Sequence, residues 1–247
     1  MKLAISGKGG VGKTTLSAGL LLAFAEENKK VIGIDADPDA NLAATLGFPS
    51  PGKIVPISEM KELIDERAGE KGGYFTLNPK VDDIPEKYSA LHNGIRLLVM
   101  GGVKKAGTGC YCPENAFLKA LMTHLILGRE DVLIMDMVAG IEHLGRGTAE
   151  GVDALITVVE ASKRSIETAM RMKKMADELK IKRVFVVGNR IISDEETGFI
   201  KKETMGLDLL GFIRYNKNLI DRVTVNNLDI FRDIKSKLEK IIEGKEG

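Results

Sequence analysis

The sequence predicts an α/β fold, a mostly parallel sheet flanked by helices on both faces, and three observations carry that prediction. Short β-branched runs alternate with segments of helical period along the 247 residues. The runs are near-continuous in apolar residues, as strands buried on both faces are. A glycine-rich loop, Gly7-Lys8-Gly9-Gly10-Val11-Gly12-Lys13-Thr14-Thr15, stands between the first strand and the first helix, the order that phosphate binding at a helix N-terminus requires.

In chain order the predicted elements begin with a strand at Lys2 to Ser6 around Leu3-Ala4-Ile5, and a helix at Lys13 to Glu27. A strand at Val31 to Asp35 ends in Asp35-Ala36-Asp37-Pro38-Asp39, at the carboxyl edge where open α/β sheets bind ligands. The stretch 49–93 breaks the rhythm with Pro49, Pro51, Pro56, Pro79, Pro85, the Gly72-Gly73 pair and one charged helical segment, Glu59 to Ala68. It reads as an insertion or lid over one sheet edge of a single domain spanning 1–247. Strands follow at Ile95 to Met100, Val132 to Asp136, Ala154 to Val159, Arg183 to Val187 and Leu209 to Ile213. Helices are expected at Glu114 to Leu127, Ser165 to Leu179 and Ile230 to Ile242. The last carries Ile230, Phe231, Ile234, Leu238, Ile241 and Ile242 on one face, with Lys and Glu mixed elsewhere. That mixture favours docking on the protein's own sheet over a membrane surface.

Composition narrows the classes. Lys and Arg number 36 against 35 Asp and Glu, so no global positive field draws the chain to nucleic acid or anionic lipid, and neither is expected as a stable partner. No signal-peptide pattern or bilayer-length apolar run occurs, which points to the cytoplasm. The two cysteines, Cys110 and Cys112, flank Tyr111, and a disulfide across so short a ring would be strained.

Phosphate binding needs Gly7, Gly12, Lys13 and Thr14, because backbone N–H groups close around phosphate oxygens while a lysine and a hydroxyl serve the phosphates and Mg²⁺. Lys8 is an extra cation near the loop's start. Asp35 and Asp37 leave their strand end together, so either could reach the Mg²⁺ shell or an attacking water; an Asp-rich capping loop is the plainer alternative. Asp136 ends its strand as the Mg²⁺-side acid of a phosphate-loop enzyme does, and Gly140, Gly145 and Gly147 follow in a segment suited to switching. His143 in that segment is not read as a metal ligand. Asn189, followed by Arg190, could read a purine edge or simply make a turn. Cys110 and Cys112 offer two thiolates where a closed tetrahedral site needs four, so two chains would complete a Zn²⁺ or Ni²⁺ site; two free thiols are the alternative.

Lys8 together with Lys13 resembles the deviant phosphate-loop (deviant Walker A) ATPases, the class of the septum-site ATPase MinD, the ParA partition ATPases and the nitrogenase iron protein. The resemblance implies a nucleotide-dependent homodimer using ATP, ADP and Mg²⁺. Lys8 would reach the partner's nucleotide, and Gly9, Gly10, Val11 and Gly12 would line the phosphates. Lys13 would hold the β and γ phosphates, Thr14 would ligate Mg²⁺ and Thr15 would contact the α-phosphate. Asp37 would orient the attacking water, Asp136 would serve the Mg²⁺ side, and Asn189 and Arg190 would stand in the nucleotide site. Within the class, Asn78-Pro79-Lys80-Val81-Asp82, Cys110-Tyr111-Cys112 and the run Asp136 to Leu144 are similar to the CooC-type nickel-insertion ATPases. These imply apo carbon monoxide dehydrogenase as client and Ni²⁺ or Zn²⁺ at the shared cysteines. Ala161 and Arg214 depart from that pattern, standing where relatives often carry proline. Related readings are maturation of acetyl-CoA synthase, a MinD- or ParA-like positioning switch, and an electron carrier with a shared cluster.

Overall fold

The computed structural model describes residues 1–27, 29–69, 76–101, 113–128, 132–138, 140 and 146–244. Among these, eight strands form one sheet: β1 Lys2–Gly7, β2 Val31–Asp35, β3 Ala90–His92, β4 Ile95–Val99, β5 Val132–Asp136, β6 Ala154–Val159, β7 Val184–Ile191 and β8 Asp208–Arg214. Their order is β3-β4-β2-β5-β1-β6-β7-β8, parallel throughout except for the β3/β4 pair. The chain leaves β1 toward one edge and later returns past it to build the other. The carboxyl end of β1 is therefore the switch point, where a crevice opens for a ligand.

The helices are α1 Lys13–Ala25, α2 Leu42–Leu46, α3 Lys61–Ala68, α4 Ile84–Tyr88, α5 Pro113–Leu127, α6 Arg146–Ala149, α7 Lys163–Glu178, α8 Asp194–Glu203, α9 Asn218–Asp221 and α10 Asp229–Glu243. Alternate strand residues feed two apolar layers, as the pleat demands. Leu3, Ile5, Ile134 and Ile156 pack with Leu16, Leu20 and Phe24 of α1 and with Phe231 of α10. Ala4, Leu133, Met135 and Leu155 pack with Phe117 and Leu121 of α5 and Met172 of α7. The stretch 49–93 adds Ile57, Leu63, Ile64, Val81 and Ile84 to this second layer, and Arg67 of α3 clasps Asp83 at 3.0 and 2.9 Å.

Several elements differ from expectation. β7 runs on to Ile191 instead of stopping at Val187, and α8 fills a stretch that carries no clear apolar period. β3 is an edge strand turned back by Asn93-Gly94, both at positive φ (49° and 76°), the geometry of a two-residue type I′ hairpin. α10 does dock on α1 and β8, but Ile241 is 45% exposed and lies off the buried stripe. Ion pairs from Lys29 to Glu239, Arg232 to Glu26 and Lys235 to Glu27 rim the α1/α10 seam. No described helix is long and apolar enough to cross a membrane.

At the centre of that seam the helices touch so closely that a Cβ on Gly19 would sit 2.2 Å from the fully buried Phe231 ring. Gly19→Ala is therefore expected to destabilise the fold despite alanine's better helix propensity. Overpacking costs about 1–3 kcal/mol against a helix gain of about 1. The midpoint of urea unfolding should fall; a rise would mean that Phe231 gives way without cost.

Candidate functional site

The phosphate loop springs from the buried end of β1 and turns into α1 at Gly12, whose φ of 94° and close neighbours exclude a side chain. The first helical bond is Leu16 N–H to the Gly12 carbonyl at 3.1 Å, so the earlier N–H groups of α1 have no helical acceptor. No side chain caps this terminus, whereas Ser162 and Ser193 cap α7 and α8. An uncapped N-terminus under a glycine loop is a site for an anion.

Two acids back it. Asp35 and Asp136 are register partners at the ends of β2 and β5, and both are fully buried. Asp35 accepts the N–H groups of Asp37 (3.2 Å) and Leu42 (2.9 Å), which fixes the turn after β2. Burial pushes its carboxyl up to about 6, opposed by those two N–H bonds. Asp136 differs, because among the described residues neither carboxylate oxygen has a hydrogen-bond partner of good geometry, although the Thr14 and Ser17 hydroxyls lie nearby. Burial pushes it up to about 7, with the nearby Thr14 hydroxyl pulling down, Asp35 pushing up and Lys13 pulling down. The Ser17 hydroxyl beside it donates instead to the Lys13 carbonyl at 3.0 Å.

A buried, unpartnered carboxylate next to a threonine hydroxyl and an anion site fits a hydrated Mg²⁺. Hard oxygen donors suit that ion, and its charge would relieve Asp136. Thr14 and Asp136 would hold it, and it would supply charge neutralisation at the phosphates.

The raised carboxyls set a pH dependence. In the unfolded chain these groups titrate near 3.8, so between that value and about 7 the folded state binds more protons. Their contribution to stability is full below the unfolded value and is lost as pH rises through about 6 to 7. The nucleotide-free protein should thus lose on the order of a few kcal/mol from this pair between pH 5 and 8. Mg²⁺ with ADP should raise the melting temperature more at pH 8 than at pH 5.5. An equal rise at both would show that Asp136 does not face the cation.

The remaining predicted residues fall around this centre. Lys13 is 7% exposed; Lys8 is half-buried, between the strand end and the exposed Gly9 and Gly10, and makes no ion pair among the described residues. Asp37 is half-exposed and accepts the Asp39 N–H at 3.1 Å. A narrow slot beside the loop is lined by Thr15, Asn189, Arg190, Arg214, Tyr215 and Asn216. Asn189 is not simply a reader at the slot's edge, since its amide donates to the Val11 carbonyl of the phosphate loop at 2.7 Å. Arg190 turns outward to Glu160 at 3.0 Å. Cys110, Cys112 and His143 lie outside the described residues. Among the described ones no cluster of three or more His, Cys, Asp or Glu could hold a metal.

Ser6 escaped sequence reasoning. Its hydroxyl, fully buried at the end of β1, lies 3.0 Å from the Val138 carbonyl and 3.2 Å from the Gly140 N–H, tying the segment after β5 to the central strand. The available signal was a hydroxyl in an otherwise apolar strand. A separate cavity of about 550 Å³ opens between the segments after β2 and β5 and α5, lined by Pro38, Met100, Leu118, Met122, Met137 and Val138. It shares no lining residue with the phosphate loop or the slot.

A parallel sheet with a phosphate loop at its switch point and a buried acid pair beneath defines a nucleotide-binding ATPase. Residues 2–228 match the family model described as the CobQ/CobB/MinD/ParA nucleotide binding domain, and the chain belongs to that family. Within it, the chain is 45% identical over 221 residues to the carbon monoxide dehydrogenase accessory protein CooC of Rhodospirillum rubrum, covering 87% of this chain and 84% of CooC. It is 44% identical to an uncharacterised ATP-binding protein of Methanocaldococcus jannaschii, over 89% and 87% of the two chains. In fold it is similar to the MinD cell division protein of Aquifex aeolicus, with a TM-score of 0.68 at 23% identity over 99% and 98% of the chains.

Proposed function

We propose that this ATPase works as a homodimer that delivers nickel to apo carbon monoxide dehydrogenase. The observation that carries the reading is the 45% identity to CooC over most of both chains, and the Cys110-Tyr111-Cys112 pair supports it. ATP would bring two phosphate loops together, with Lys8 of each chain serving the other's nucleotide. Asp37 would orient the attacking water, Asn189 and Arg190 would border the base, and Cys110 and Cys112 would meet their copies around one Ni²⁺ or Zn²⁺. Nickel transfer follows if the metal binds the ATP and ADP forms with different affinity, because a ligand shifts an equilibrium only by its differential affinity.

The test is titration of the purified protein with nickel and with zinc, with and without a non-hydrolysable ATP analogue. One metal per dimer, with nucleotide-dependent affinity, is the expected result. Exchange of both cysteines for serine should abolish it, and retention of one metal per dimer in that variant would sink the thiolate site. Acetyl-CoA synthase as client is a variant of the same chemistry, separated by activation assays on each apo-enzyme. The fold's likeness to MinD favours a second reading, a positioning switch. ATP-dependent cosedimentation with liposomes or DNA would support it, and nickel delivery predicts neither.

A further inference from the structure

We propose that Asn189 is a positioning residue of the phosphate loop, a strut that aims the Gly12 N–H into the anion site. The β7/β8 register shifts between Val186 and Val187 and again between Gly188 and Ile191, and within the second shift Arg190 takes a φ of 58°. This corner sends the Arg190 guanidinium outward to Glu160 and leaves Asn189 turned inward, 5% exposed. The Asn189 Nδ2 donates to the Val11 carbonyl at 2.7 Å, joining parts of the chain 178 residues apart. A carbonyl partner accepts only, so the amide must present its NH₂ group there.

The consequence follows from peptide planarity. In a trans peptide the C=O and the next N–H point in opposite directions. Holding the Val11 carbonyl against the Asn189 amide therefore turns the Gly12 N–H away from that side chain, which is where the proposal places the anion. The fit is close enough that a Cβ on Gly12 would lie 2.1 Å from the Asn189 Nδ2. Gly12 is thus required by its φ and also by the strut that stands against it. Because Asn189 also lines the slot beside Thr15, one side chain links the slot to the phosphate loop. The role belongs to nucleotide binding itself and holds whichever client the enzyme serves.

A ligand without a base separates this role from base reading. Magnesium tripolyphosphate binding to the full chain should weaken about tenfold in Asn189→Ala, the scale of one buried hydrogen bond. Asn189→Asp keeps the shape but sets a carboxylate against the Val11 carbonyl, and it should weaken binding at least as much. The Asp variant guards against misfolding of the Ala variant, and the thermal melt of each nucleotide-free variant shows which is folded. In a folded variant the ¹⁵N–¹H signal of Gly12 should also shift before any ligand is added. Wild-type tripolyphosphate affinity in a folded variant, with only ATP affinity reduced, would overturn the strut and leave Asn189 a base reader.

Discussion

Asp37→Asn is expected to bind ATP with near wild-type affinity and to hydrolyse it roughly 10²- to 10⁴-fold more slowly, the range associated with losing a positioned acid or base. Strand-end position alone leaves Asp35 and Asp37 equally placed for this task, the family resemblance assigns it to Asp37, and the surroundings of the two acids support that assignment. Asp35 is fully buried and both its oxygens accept backbone N–H groups, from Asp37 and Leu42, so it has no face for a water. Asp37 has its own N–H pinned by Asp35, which fixes its place, while among the described residues its half-exposed carboxylate is engaged by the Asp39 N–H at one oxygen alone. Single-turnover hydrolysis alongside calorimetric ATP binding reads the difference. Asp35→Asn should instead loosen the turn and lower thermal stability. If Asp37→Asn turns over at the wild-type rate, the water is oriented by another group.

The phosphate loop was legible because its chemistry is written in backbone: only glycines give the φ values, and only Lys13 and Thr14 bring the right heads. The core strands were legible because burial on both faces leaves unbroken apolar runs. α8 was not, since it is held by Ser193, three acids in its first turn and Lys201-Lys202 in its last, with little apolar period to detect. Such end signals mark where a helix starts and stops but give it no apolar stripe. The Asn93-Gly94 hairpin was likewise spelled out, but three residues at an edge make too short a run to stand out. Asn189 and Ser6 are a different case. Their partners, Val11, Val138 and Gly140, are backbone groups of distant segments, and no local pattern encodes a contact made only once the sheet has formed.

Lys8→Ala should reduce hydrolysis by up to about 10³-fold, the lower end for a cation supplied in trans, while leaving ADP binding by the single chain nearly unchanged. The two lysines of the loop occupy unlike places. Lys13 is 7% exposed and near enough to Asp136 to pull its carboxyl down, which suits it to the chain's own nucleotide site. Lys8 stands at the half-open rim beside exposed Gly9 and Gly10, with no carboxylate paired to it among the described residues. A cation there is surplus to one chain, whereas a two-fold axis would carry it to the other chain's phosphates. Mixing Lys8→Ala with Asp37→Asn chains decides the matter. Equal mixing makes half of the dimers heterologous, and in each the site that keeps Asp37 would receive Lys8 from its partner. About a quarter of wild-type activity should therefore return if the lysine acts in trans. If it acts within its own chain, every site in the mixture lacks one of the two groups, and no activity returns.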